Sequence, residues 1–119
     1  KRFNMITIEQ LKDVKTRTEA LYRYLDIENK KVQVEEEQLR TQAPGFWDDA
    51  KKAEAQMKKV KSLQGWIEGY NAVKTLTDEL ELAFDFYKDE LVTEEEVDEA
   101  YAKSLQALER IGIEKYASF

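Results

Sequence analysis

The chain has no cysteine and no histidine, and only one proline and four glycines in 119 residues. Without cysteine there is no disulfide and no thiolate chemistry, and without either residue the common zinc ligand sets cannot be assembled. No apolar run approaches the ~20 residues of a membrane span. The opening Lys1-Arg2-Phe3-Asn4 lacks the apolar core of a signal peptide. A cytoplasmic protein without membrane contact is expected. The glycines stand singly at 45, 65, 69 and 112, so no phosphate-cradling loop can form, and G-x-S-x-G is missing. Carboxylates occur in helical surface runs instead of an apolar pocket that would shift their proton affinity. No catalytic residue, cofactor site or metal site is therefore assigned, no enzyme is expected, and the partner-binding residues stay unassigned.

What the sequence does have is helical periodicity. From Asp48 to Leu91 there is no proline, and Ala53, Met57, Val60, Leu63, Ile67, Tyr70, Val73, Leu76, Leu80, Phe84, Tyr87 and Leu91 recur in steps of three and four. As one α-helix that stretch would reach roughly 66 Å and would need partners along its length. With 42% hydrophobic and 37% charged residues, the chain suits a narrow helical bundle, and its length suits a single domain over 1–119.

Shorter helices flank that stretch. Thr7 is placed to cap a first helix ending near Leu25, with Ile8, Leu11, Val14, Thr18, Leu21 and Leu25 on one face and Thr18 its weak point. Asp26 is expected to cap a second helix running to Thr41, with Val32 and Leu39 in register with Leu25 and Ile27 and Val34 on the adjacent row. Glu35-Glu36-Glu37 reads as a solvated face. Thr93 and Glu96 have the spacing of a capping box for a fourth helix carrying Val97, Tyr101, Leu105, Leu108 and Ile111, with Gly112 as its stop. The ends, 1–6 and 112–119, are expected to be flexible.

Gln42-Ala43-Pro44-Gly45-Phe46-Trp47 is the strong break: Pro44 disfavours helix at Ala43, and Gly45 permits a turn. Phe46 and Trp47 read either as an aromatic plug closing a helical hairpin or as an exposed anchor for a partner. Asp48 or Asp49 then caps the long helix. Lys51, Lys52, Lys58, Lys59 and Lys61 form a basic band whose first reading is a solvated face and whose second is a nucleic-acid contact. Gly65 and Gly69 mark a close helix crossing or a local bend, since each costs about 1 kcal/mol inside a helix.

Charge is polarised along the chain. Residues 1–62 hold 14 bases and 11 acids, whereas residues 63–119 hold 5 and 14. The basic first helix is therefore expected between the acidic end of the long helix and the acidic fourth one. The resulting expectation is an all-α fold: an elongated antiparallel bundle of about four helices around one long central helix, with a three-helix bundle at one end and a hairpin arm at the other.

Several stretches, in order, carry a family resemblance: Arg17-Thr18-Glu19-Ala20-Leu21-Tyr22-Arg23-Tyr24-Leu25-Asp26, Lys30-Lys31, the triple glutamate, Gln42-Ala43-Pro44-Gly45-Phe46-Trp47-Asp48-Asp49, Leu82-Ala83-Phe84-Asp85-Phe86-Tyr87 and Glu94-Glu95-Glu96. From about Met5 to about Leu108 the chain resembles the amino-terminal helical domain of the bacterial peptide chain release factor 2 family. The resemblance implies translation termination at UAA and UGA codons, with this domain docking on the ribosome at the large-subunit stalk base, attached in cis to the rest of the factor. It implies no hydrolysis and no direct sequence-specific nucleic-acid binding by the domain. The Ser-Pro-Phe and Gly-Gly-Gln motifs through which such factors read codons and hydrolyse peptidyl-tRNA do not occur in this sequence. Set against that resemblance is a free-standing helical or coiled-coil adapter.

Overall fold

The computed structural model describes residues 5–117, with the backbone alone described for Ile113, Glu114, Tyr116 and Ala117. The outermost parts of the two ends expected to be flexible, 1–4 and 118–119, lie outside the described residues. The described residues form four α-helices and one 3-10 turn: α1 Ile8–Tyr24, α2 Ile27–Arg40, the turn Phe46–Asp48, α3 Ala50–Lys88 and α4 Glu94–Ala117. The all-α class is as expected, and α3, at 39 residues, lies within the predicted long stretch. Two compact units result, one made of residues up to Leu21 together with those from Asn71 onward, the other of Tyr22–Tyr70. Helices α1 and α3 contribute residues to both.

The first unit packs α1, the last part of α3 and α4 into three helices around Leu11, Val14, Val73, Leu80, Phe84, Val97, Leu108 and Ile111, all buried. Pairing of Lys15 with Glu81 and of Thr18 with Thr77 makes α1 antiparallel to α3. The Ile6 N–H donates to Asp98 Oδ1 over 3.0 Å, which brings the start of α1 beside α4, as the sequence predicts. Thr18, the weak point of the α1 stripe, is 2% exposed and is satisfied twice: its hydroxyl lies 2.8 Å from the Val14 carbonyl and 2.8 Å from Thr77 Oγ1. Thr77 is missing from the predicted stripe because threonine does not register as apolar, yet only 3% of it is exposed.

Caps explain the helix starts. Thr7 Oγ1 accepts from the Gln10 N–H at 3.2 Å while Gln10 Oε1 accepts from the Thr7 N–H at 2.8 Å, satisfying two orphan donors of α1. Thr93 and Glu96 exchange the same pair of bonds at 3.1 Å each before α4. Asp49, of the two expected candidates, caps α3 by accepting from the Lys52 N–H at 3.1 Å.

Two helix ends depart from expectation. Helix α3 stops at Lys88, where Glu90 takes the left-handed conformation (φ 59°). The Leu91 N–H then reaches the Phe86 carbonyl at 3.0 Å and the Glu90 N–H the Tyr87 carbonyl at 3.0 Å. These are the two bonds of a Schellman motif, which normally places glycine where Glu90 stands. Glu90→Gly is therefore expected to stabilise the fold by about 1 kcal/mol by relieving the left-handed strain of a residue with a Cβ. Urea unfolding checks this, and a fall in midpoint would contradict it. The second departure is Gly112, which does not end α4: the helix continues to Ala117. A mid-helix glycine costs only about 1 kcal/mol, and without a left-handed φ it provides no stop; Ile111 just before it is 4% exposed.

The second unit holds α2 and the first part of α3. Asp26 sits at the N-cap position of α2 but adopts φ 55° and ψ 47°, and its side chain makes no capping bond. It serves as a left-handed bend between α1 and α2 instead, a conformation aspartate tolerates better than most residues. The bend resets the helical phase, so Ile27 and Val34 are buried while Val32 and Leu39 are exposed. Tyr22 meets Tyr70 edge-on, with centroids 5.1 Å apart. Glu37 corrects the reading of the glutamate run as wholly solvated: Glu35 and Glu36 are exposed, but Glu37 is 4% exposed. One of its oxygens is 3.5 Å from Arg40 Nε, and the other, like Gln56 Nε2, is buried without a hydrogen-bond partner.

Candidate functional site

The surfaces that stand out lie in the second unit, beginning with its turn. Gly45 has φ 81°, and a Cβ there would come within 3.3 Å of Asp48 Oδ2, so the sharp reversal before Phe46–Asp48 requires glycine. The 3-10 turn sets Phe46 against Trp47 with ring centroids 4.8 Å apart and planes at 84°. Phe46 is half-buried, but Trp47 remains 62% exposed. Its indole N–H donates to the Thr41 carbonyl at 3.2 Å, tethering the ring near the end of α2. The plug reading therefore fails for Trp47: the turn holds its ring edge-on against Phe46 at the surface, and Phe46 itself is only half-buried. Leu39, 66% exposed, adds to the apolar surface of this unit.

Beyond the turn, all five lysines of the basic band are exposed. At 100° per residue they cover the outward half of the first three turns of α3, opposite Ala53 and Val60, which are 3% exposed each. Glu54 is the one acid among residues 50–62. Gly65, also exposed and in helical register with Lys51, Lys58 and Ser62, has nothing within 4 Å of where its Cβ would be. Neither a close crossing within the chain nor a left-handed backbone calls for glycine at that point. Gly65→Ala should thus stabilise the isolated protein by up to about 1 kcal/mol. Thermal unfolding tests this directly: an unchanged or lower midpoint would mean that position 65 is constrained from within.

The first unit offers less. Between α3 and α4 a shallow groove of about 190 Å³ is lined by Leu76, Val92 and Ala100 together with Glu79, Glu96 and Glu99. Its volume is below the roughly 300 Å³ at which small-molecule sites begin, and the wider depression of about 430 Å³ along α4, lined by Glu99, Lys103, Leu105 and Glu109, is more open still. Lys15, Tyr22 and Tyr87 have shifted proton affinities. The hydrogen bond to Glu81 at 2.5 Å holds the Lys15 ammonium above its ordinary range. Donation to Glu28 and to Glu94 raises the hydroxyls of Tyr22 and Tyr87. All three shifts move weak acids further from neutrality, so none of these groups becomes a proton donor near pH 7. Among the described residues no helix is long and apolar enough to cross a membrane.

Fold and surface together define an all-α protein whose prominent features are surfaces: an aromatic tip and a lysine-covered helix. No protein-family model matches the chain. A 66-residue segment, 56% of the chain, is 29% identical to peptide chain release factor 2 of Staphylococcus aureus strains COL and N315, and the same holds for strain MSSA476. The match spans 18% of the length of these curated relatives. The chain thus has a release-factor-like region.

Proposed function

We propose that this chain acts in translation termination as the helical domain of a release factor for UAA and UGA codons. In that role it docks the factor on the ribosome at the large-subunit stalk base and leaves peptidyl-tRNA hydrolysis to the remainder of the factor. The observation that carries this reading is the similarity over 66 residues to peptide chain release factor 2. The all-α fold and the lack of Ser-Pro-Phe and Gly-Gly-Gln in the sequence support it. The protein works in the cytoplasm, where ribosomes are, and its partners are the ribosome and the rest of the factor in cis.

The test uses stalled ribosomes carrying a stop codon in the A site. The chain alone is expected to release no peptide and to ignore codon identity. Fused to a release-factor core stripped of its own helical domain, it is expected to tighten ribosome binding. Release by the chain alone, or a fusion that binds no better than the bare core, would refute the proposal. The exposed Trp47 and Leu39 favour one competing reading, a free-standing helical adapter. Sedimentation as a tight oligomer without ribosome association would select it.

A further inference from the structure

From the lysine-covered face of α3 we infer a second, separate property: it binds the phosphate backbone of an RNA helix without reading its sequence. The unit of residues 22–70 contains nine bases and nine acids, so it is neutral overall, but the charges are segregated. Residues 26–41, which include α2, hold five acids and three bases, whereas residues 50–62 of α3 hold five lysines and one acid. None of Lys51, Lys52, Lys58, Lys59 and Lys61 is engaged in an ion pair with another described residue, although Glu54 is within helical reach of Lys51 and Lys58. Five exposed ammonium groups on about three turns of helix repel one another, and binding a polyanion relieves that repulsion.

The surrounding surface favours phosphate over an acidic protein. Lysine is depleted in protein–protein interfaces, which rely on aromatic and arginine anchors. On this face the residues between the lysines are Ala55, Ser62 and Gly65, exposed and small, and the single acid Glu54. Trp66, one turn beyond Ser62, is half-buried, and Trp47 is tethered to the Thr41 carbonyl, so no row of rings is laid out between the lysines for successive unpaired bases to stack on, which favours contact with a paired backbone. Gly65, unexplained by any neighbour within 4 Å, keeps the helix surface low enough for a nucleic-acid backbone to approach the lysine stems and their ammonium groups together. The choice of RNA over DNA rests on the proposed role in translation; the phosphate contact itself does not.

The experiment measures binding of the intact chain to a fluorescent 20-base-pair RNA duplex, to a DNA duplex of the same sequence and to polyglutamate, between 50 and 200 mM salt. Micromolar binding to RNA is expected at low salt, weakening with a logarithmic salt slope of about −3 to −4, as several phosphate contacts require. Lys51→Gln/Lys58→Gln and Lys52→Gln/Lys59→Gln should each weaken binding by about tenfold and flatten the slope by about 2. Lys12→Gln/Lys103→Gln removes two exposed lysines of the other unit and should change affinity less than twofold, as a nonspecific loss of charge would. Far-UV circular dichroism verifies that every variant remains folded. No RNA binding at 50 mM salt, equal binding to polyglutamate, or an equal loss in the control pair would overturn the inference. Equal binding to RNA and DNA, with losses confined to the band, would keep the phosphate face and remove the translational choice of RNA. A failed ribosome-docking fusion alongside intact duplex binding would refute the proposed function while leaving this face standing.

Discussion

Leu80→Ala should remove about 3–5 kcal/mol of stability, whereas Leu82→Ala, two residues along the same helix, should cost well under 1 kcal/mol. Leu80 is fully buried, at 0% exposed, in the three-helix unit, so truncation leaves a cavity that α1 and α4 can close only partly. Leu82 is 51% exposed and its truncation leaves no cavity. For a domain whose total stability is on the order of 5–15 kcal/mol, the first change consumes a large fraction and the second almost none. Urea titrations followed by circular dichroism provide the comparison. Equal losses for the two variants would mean that the outward face of α3 is covered in solution by a second copy.

The buried threonine pair gives a second large effect, and an asymmetric one. Each hydroxyl has a single proton. Thr18 is placed to donate to the Val14 carbonyl at 2.8 Å, which makes Thr77 the donor in the 2.8 Å bond between the two side chains. Thr18→Val then leaves the Thr77 hydroxyl buried without its acceptor and should cost about 2 kcal/mol. Thr77→Val leaves the Thr18 donor satisfied and should cost about half as much. With both replaced there is no orphaned hydroxyl, and the double variant should lie within about 1 kcal/mol of the wild type. A double variant whose loss equals the sum of the two single losses would show that the hydroxyls are not coupled. Since both residues lie in the same helical unit, the cycle also tests the antiparallel register of α1 and α3.

Several features are legible in the sequence because they depend on local rules. Thr7, Asp49 and the Thr93–Glu96 pair act within one turn of chain, and the backbone donors they satisfy are fixed by where a helix begins. The reversal at Gly45 belongs to the same kind. The apolar positions of α3 are legible turn by turn, since helical period puts Ala53 and Val60 together and, farther along, Val73, Leu80 and Phe84 together, but over 39 residues steps of three and four drift around the helix, and Met57 and Leu91, counted in the same series, are exposed. Less was legible at the surfaces: the lysine band could be seen, but whether its charges were already neutralised by neighbours could not.

By itself, the sequence determined that the chain is all-helical and where its helices start. Helical period, caps and composition need no knowledge of distant residues. Tertiary structure decided which polar groups enter the core, because burial of Thr18, Thr77 and Glu37 depends on what faces them across a helix interface. It also decided that Asp26 and Glu90 take left-handed backbones, since neither residue type demands that conformation and the joins between helices require it. The exposure of Trp47 and of the lysines on α3 was settled at the same level, since how much of a side chain stays solvated depends on what the rest of the folded chain places against it.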